Sequence, residues 1–153
     1  MTARIRPAGP ADHATLLPLY LAFFREDAIA TPPEAVAMNL ALMLQDPRAR
    51  LLLAEEDGTP MGLAAGSLTF GVEFGCAAEL EDLYVIPAAR GRGLARQLAQ
   101  AVIDWAEEAG AGEVILVITP EAEARQGLTT FYARLGFRDA RRITLYRSPA
   151  PQG

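Results

Sequence analysis

Between residues 77 and 110 the chain runs through a strand-like stretch, a turn with two glycines in three residues, and a long helix-periodic stretch. No other feature limits the fold as much. Residues 77–85 read as a strand, and Pro87 follows it. Leu94, Leu98, Ala101/Val102, Trp105 and Ala109 then recur at helical spacing, and Gly110 and Gly112 close the helix. Arg90-Gly91-Arg92-Gly93-Leu94-Ala95 is the joint between the two. Glycines there permit a tight turn and let a ligand reach the backbone. The first amides of a helix have no carbonyl partner, and the helix dipole puts partial positive charge on them, so the joint is an anion site. Arginine side chains add charge around it. A dinucleotide fingerprint needs a third glycine where Arg96 stands, and that reading fails.

The rest of the pattern supplies a sheet for that helix to cover. Residues 3–7 read as a first strand. Asp12 is placed to cap a helix reaching about Asp27, with Leu16, Leu17, Leu19/Tyr20 and Phe23/Phe24 as its apolar stripe. Thr31, with Pro32 next and Glu34 three residues on, predicts the cap of a second helix, which carries Val36, Leu40 and Met43/Leu44 and stops at Asp46-Pro47. Leu51–Glu55 and Met61–Phe70 are strands joined by the hairpin signal Asp57-Gly58. Glu113–Thr119 is the most apolar strand and is expected at the centre of the sheet. A helix over Ala122–Leu135 and strands at Phe137–Ala140 and Ile143–Arg147 complete the order β-α-α-β-β-β-α-β-α-β-β. The fold class is α+β, a mixed sheet with helices on both faces. One domain is expected over 1–147, followed by a flexible tail at 148–153.

Composition removes several kinds of chemistry. The chain has no lysine, and all 14 basic residues are arginine, which excludes a lysine Schiff base and a P-loop. One cysteine, Cys76, and one histidine, His13, argue against an internal disulfide and a zinc site. Ser67 and Ser148 are the only serines, which leaves little for a Ser-His-Asp triad. A net charge of −5 disfavours nucleic-acid binding, yet 134–147 holds five arginines against Asp139 alone. No apolar run is long enough to span a bilayer, and Met1-Thr-Ala-Arg-Ile-Arg-Pro7 has no secretory apolar core. The expectation is a cytoplasmic protein without membrane contact.

Arg90-x-x-Gly93-x-Ala95, preceded by Leu83-Tyr84-Val85-Ile86-Pro87, resembles the acetyl-CoA signature of the GNAT superfamily N-acetyltransferases. Phe131-Tyr132-Ala-Arg-Leu135-Gly136-Phe137 resembles the family's second signature. The resemblance covers nearly the whole chain. It implies a mostly antiparallel mixed sheet of about six or seven strands flanked by about four helices. The sheet would splay between the fourth and fifth strands to admit the coenzyme. It further implies that Leu83, Tyr84 and Val85 line the pantetheine arm, the main chain of Leu83 and Val85 pairing with it. Arg90, Gly91, Arg92, Gly93, Leu94, Ala95 and Arg96 would surround the diphosphate. An asparagine common seven residues before the tyrosine is replaced by Arg125, which leaves that residue's role open.

Amide formation from a thioester requires a deprotonated amine, a donor for the carbonyl oxygen, and a proton for the departing thiolate. A primary amine with pKa near ~10 arrives mostly protonated, so a base is needed. Glu81, in Leu80-Glu81-Asp82-Leu83, resembles the strand acid of polyamine and thialysine acetyltransferases and is the candidate base, acting through water. Glu79 and Asp82 are reserves. A strand bulge, usual in the family, would re-aim Glu81. Tyr132 is the candidate acid. Cys76 has no histidine or basic residue near it in sequence, so direct transfer in a ternary complex is preferred to an acyl-cysteine. Phe23, Phe24, Glu26 and Asp27 lie where the superfamily commonly lines its acceptor pocket, and aromatic plus acidic groups suit a cationic amine. The acceptor is expected to be a small primary amine: a polyamine, an amino-acid derivative or an aminoglycoside-like molecule. A protein N-terminus or lysine is the enzymatic alternative, and a catalytically silent acyl-CoA-binding module is the third reading. A homodimer is plausible on the family pattern.

Overall fold

A computed structural model describes residues 3–149. Strand β1 (Arg4–Pro7) leads into helices α1 (His13–Glu26) and α2 (Pro33–Gln45). Strands β2 (Ala49–Glu56), β3 (Thr59–Gly71) and β4 (Gly75–Val85) form an antiparallel meander with β1 at its edge. Helix α3 (Leu94–Glu108) and the two-residue strand β5 (Val114–Ile115) follow, then α4 (Pro120–Gln126) and α5 (Leu128–Ala133). The sheet order is β1-β2-β3-β4-β5, with β5 parallel to β4. The chain falls into two compact units that divide between Leu116 and Val117.

Each face of the sheet is covered for a reason visible in the residues. On one face, α1 and α2 bury the stripe Leu16, Leu19, Tyr20, Phe23, Val36 and Leu40 against Leu51, Leu53, Leu63 and Tyr84. Leu16, Leu53 and Leu63 lie fully out of water, which contributes about 1.5–3 kcal/mol for each leucine. On the other face, α3 presents Leu98, Val102 and Ala106, all buried, toward β3. Gly66 makes the close approach possible. A Cβ there would stand 2.7 Å from Val102 Cγ1 and 3.2 Å from Trp105.

The helix starts differ slightly from expectation. Asp12 precedes α1, but its carboxylate accepts from Arg6 (2.8 and 3.1 Å) and from the Gly9 amide (2.9 Å) instead of capping that helix. Those bonds from Arg6, the larger influence, and Gly9 hold its pKa below the usual carboxylate range. Pro32, not Thr31, is the residue before α2, because a residue followed by proline is pushed into extended backbone (φ −62°, ψ 148°).

The later part of the chain brings larger corrections. The single helix expected over 122–135 is two short ones, divided at Gly127, which takes a left-handed conformation (φ 62°). Glu123 accepts from the Thr129 amide (2.7 Å) and fixes that break. The strand expected at Glu113–Thr119 shrinks to Val114–Ile115 and lies at the sheet edge, not the centre. Apolar sequence alone could not reveal that only one neighbour pairs with it among the described residues. Phe137–Ala140 and Ile143–Arg147 form no strand: Asp139 accepts from the Arg141 amide (2.7 Å), Arg141 turns to φ 56°, and Ile143 and Leu145 are each 88% exposed. The sheet therefore has five strands and the chain five α-helices among the described residues, fewer strands than expected. The tail expected at 148–153 lies outside the described residues from position 150 onward. No described helix is long and apolar enough to cross a membrane.

Candidate active site

Strand β4 has one paired edge and one open edge. It pairs with β5 only at Ala78–Val114 and Glu79–Ile115, and beyond Glu79 no strand follows its outer side among the described residues. Here the pairing of the fourth and fifth strands stops after two residue pairs. The Ile86 amide donates to the Met61 carbonyl, toward β3 (2.9 Å). The two-residue period of a strand then turns the amides and carbonyls of Leu83 and Val85 to the open side. An extended, amide-bearing molecule meets a row of main-chain donors and acceptors there.

The turn after β4 offers a second kind of main-chain surface. Gly91 and Gly93 both take left-handed backbone (φ 80°), and nothing lies within 4 Å of where a Gly91 Cβ would stand. Gly93 occupies the N-cap of α3 and brings no side chain to bond the helix amides. The first intrahelical bond recorded there runs from Gln97 to the Gly93 carbonyl (3.1 Å). Among the described residues, the amides of Gly91–Arg96 have no hydrogen-bond partner. A run of unpartnered amides at the mouth of a 15-residue helix with no acid in its first turn fits an anion. A diphosphate fits this turn, and the linear arm attached to it fits the open edge of β4.

The arginines of the turn are engaged elsewhere. Arg90 donates through Nε to the Val85 carbonyl (2.9 Å) and through Nη2 to both Glu26 oxygens (2.7 and 2.9 Å). Arg92 pairs with Glu56. Arg96 is exposed and has no acidic partner among the described residues. Among the described residues the turn therefore offers unpartnered main-chain amides and the Arg96 side chain, while Arg90 and Arg92 are held by Glu26 and Glu56.

Glu81 occupies a bulge in β4. Ala65 of β3 faces Asp82 and Gly66 faces Leu80, so Glu81 has no opposite number. The bulge breaks the alternation that would have placed Glu81 strictly with Leu83 and Val85. Partial desolvation is the main cause raising the Glu81 pKa, joined by the charges of Glu79 and Asp82 and opposed by a hydrogen bond from Ser67. Tyr20 donates to Asp82 Oδ2 (2.9 Å). Burial raises the Asp82 pKa, the Tyr20 bond lowers it, and Glu79 raises it further. Three acids thus crowd one stretch of β4, and the exposed one is the bulged Glu81.

The residues expected to line the acceptor pocket separate into different environments. Phe23 is buried and stacks on Tyr84, with centroids 5.3 Å apart, as part of the core. Phe24 is half-buried, Asp27 is partly exposed, and Glu26 is held by Arg90. Sequence reasoning missed Tyr20 and Ser67, the hydroxyl partners of the acids on β4. A tyrosine inside an apolar helix stripe reads as core, and only its polar tip could have signalled otherwise.

Tyr132 belongs to the second compact unit. It lies on α5, is buried, and packs edge-on against Phe131 and Phe137 (centroids 4.9 and 5.6 Å). Burial pushes its phenol up to about 12. Arg125 stands in the last turn of α4.

Comparison with known proteins agrees with this geometry. Residues 14–137 match the Acetyltransferase (GNAT) family. The chain is 31% identical over 120 residues to aminoglycoside N(6′)-acetyltransferase type 1 of Salmonella typhimurium, covering 76% of this chain and 81% of that protein. It is 38% identical over 93 residues to a probable glucosamine 6-phosphate N-acetyltransferase of Oryza sativa, covering 57% of this chain and 52% of that protein. A structure of AAC(6′)-Iy in complex with the bisubstrate analogue CoA-S-monomethyl-acetylneamine superposes with a TM-score of 0.82 at 25% identity, covering 98% of this chain and all of that one. With its signature turn, the open edge of β4 and these relatives, the chain belongs to the GNAT acetyltransferase family and is an acetyl-CoA-dependent N-acetyltransferase.

Proposed function

We propose that the chain acetylates a primary amine of a small, cationic or polyhydroxylated molecule by direct attack in a ternary complex. Glu81 accepts the amine's proton, through water. Bound acetyl-CoA supplies the activated acetyl group; the protein's own residues bind, orient and move protons. Leu83 and Val85 offer main-chain bonds along the open edge of β4, and the amides of Gly91–Arg96 receive the diphosphate. The observation that carries this reading is the bulge. It sets an exposed carboxylate beside the strand edge that leads to the amide turn.

A raised pKa suits Glu81 to this work, because a base is most useful when its pKa approaches the working pH. The family resemblance implies Tyr132 as the acid for the departing thiolate, and its raised pKa changes that role. A phenol near 12 does not surrender its proton freely to a thiolate whose acid lies near ~8.5. Tyr132 therefore acts as a hydrogen-bond donor to the departing sulfur and keeps its proton, and the released thiolate takes its proton from water.

The acceptor class follows from two relatives, which are named for an aminoglycoside and for glucosamine 6-phosphate. Both names describe amino sugars, and an amino sugar is the first acceptor to try. A panel of aminoglycosides, amino sugar phosphates, polyamines and lysine-bearing peptides, scored by free-thiol release from acetyl-CoA, tests the reading. Turnover with amino sugars well above the others supports it; turnover confined to peptides replaces it with protein acetylation.

A further inference from the structure

Arg90 stands at the junction of the two surfaces that hold the coenzyme, yet its guanidinium is spent on protein groups. Nε bonds the Val85 carbonyl, one of the outward-turned groups of the open β4 edge, at 2.9 Å. Nη2 bonds both oxygens of Glu26, the last residue of α1, at 2.7 and 2.9 Å. The guanidinium lies over the Tyr84 ring, 5.7 Å from its centroid, and burial first, then Glu26, raises the Tyr84 pKa. The end of α1, the end of β4 and the start of the amide turn are therefore joined through a single side chain.

Two consequences follow. An arm that adds to the β4 edge finds the amide and carbonyl of Leu83 and the amide of Val85, but at the Val85 carbonyl it competes with Arg90 Nε, which already bonds one lone pair. That competition favours an added strand that ends at Val85, which biases its register. Glu26 also neutralises Arg90, so the guanidinium is not a spare counter-charge for an anion. We propose that Arg90 and Glu26 form a positioning pair for the coenzyme, Arg90 closing the β4 edge at Val85 and fixing where the amide turn begins. This inference rests on the coenzyme reading above and assigns both residues a role in placement, without contact to the diphosphate or the amine.

The pair is only half-buried, with side-chain exposures of 46% for Arg90 and 35% for Glu26. Such pairs add little to stability, so their loss should register in binding and not in melting. The experiment is calorimetric titration of CoA into wild type, Glu26→Ala, Arg90→Ala and the double variant, with steady-state kinetics alongside. Each single variant is expected to weaken CoA roughly tenfold, in line with loss of a charge-assisted bond. The double variant is expected to be no weaker than the poorer single one, because the two residues act as one device. The kinetic loss should fall on the KM for acetyl-CoA more than on kcat. Arg90→Lys, whose single nitrogen replaces the two separate guanidinium nitrogens that reach Val85 and Glu26, should behave like Arg90→Ala and stands in for it if that variant fails to fold.

Unchanged or tighter CoA binding by Glu26→Ala, with loss in Arg90→Ala, would mean that Arg90 itself grips phosphate, and would overturn the pair. Losses that multiply in the double variant would overturn it as well. A wild type that binds no CoA would instead overturn the coenzyme reading.

Discussion

Glycine appears at two places in this fold for opposite physical reasons. At Gly66 the missing side chain lets α3 press onto β3, with Val102 and Trp105 filling the space. At Gly91 a Cβ would meet nothing within 4 Å and at Gly93 only Gln97 Nε2 at 3.9 Å, and with the backbone turned to φ 80° the glycines leave the main chain uncovered. The first arrangement is a dry seam whose contacts belong to the protein. The second is an exposed turn whose amides bond no other protein group among the described residues. Stability should reside in the seam and coenzyme affinity in the turn, and substitutions at the two places should separate these properties.

The largest effect is expected on turnover. Glu81→Gln removes the proposed base beside the bulge and should lower kcat about 10²-fold or more, while calorimetry shows CoA affinity little changed. Wild type should also lose kcat as the pH drops through the raised Glu81 pKa. The sign follows from the base having to be ionised. An elevated pKa places its protonation at higher pH than for an ordinary glutamate, and the acid limb should vanish in Glu81→Gln. An acid limb that survives in that variant would hand the role to Glu79 or Asp82.

Next is the contrast between the glycines. Gly66→Val drives a side chain into Val102 and should cost about 1–3 kcal/mol or more of stability, read by urea unfolding. Gly93→Val should cost only about 1–2 kcal/mol from its left-handed backbone while abolishing measurable CoA binding. If both variants lost stability and affinity in the same proportion, seam and turn would not be separable. The smallest effect is expected for Tyr132→Phe. As a loss of one hydrogen bond to the leaving sulfur, it should lower kcat about tenfold with less change in CoA affinity. Equal turnover in both proteins would remove Tyr132 from the mechanism.

The same two regions show what a sequence can convey. The α3 stripe and the glycine turn were legible because each rests on local rules, helical period and backbone freedom. The seam was not, since nothing in Gly66 by itself says which helix comes to lie over it. The bulge at Glu81 was foreseeable only through family resemblance, because register is decided between strands. The partners of Arg90 and Arg92 were hidden for the same reason: Glu26 and Glu56 lie far away in the chain. The misplaced strand at 113–119 shows the reverse error. Its apolar run was read as burial on both faces, but burial depends on neighbours that a local pattern does not contain.

The central claim is that bare amides at the mouth of α3 hold the coenzyme's diphosphate. Amide NMR during titration with CoA tests it most directly. The account predicts that the largest shifts fall on Gly91–Arg96, and that pantetheine, which lacks the diphosphate, moves Leu83 and Val85 but leaves those six in place. Saturation with CoA that leaves the Gly91–Arg96 amides unmoved would contradict it.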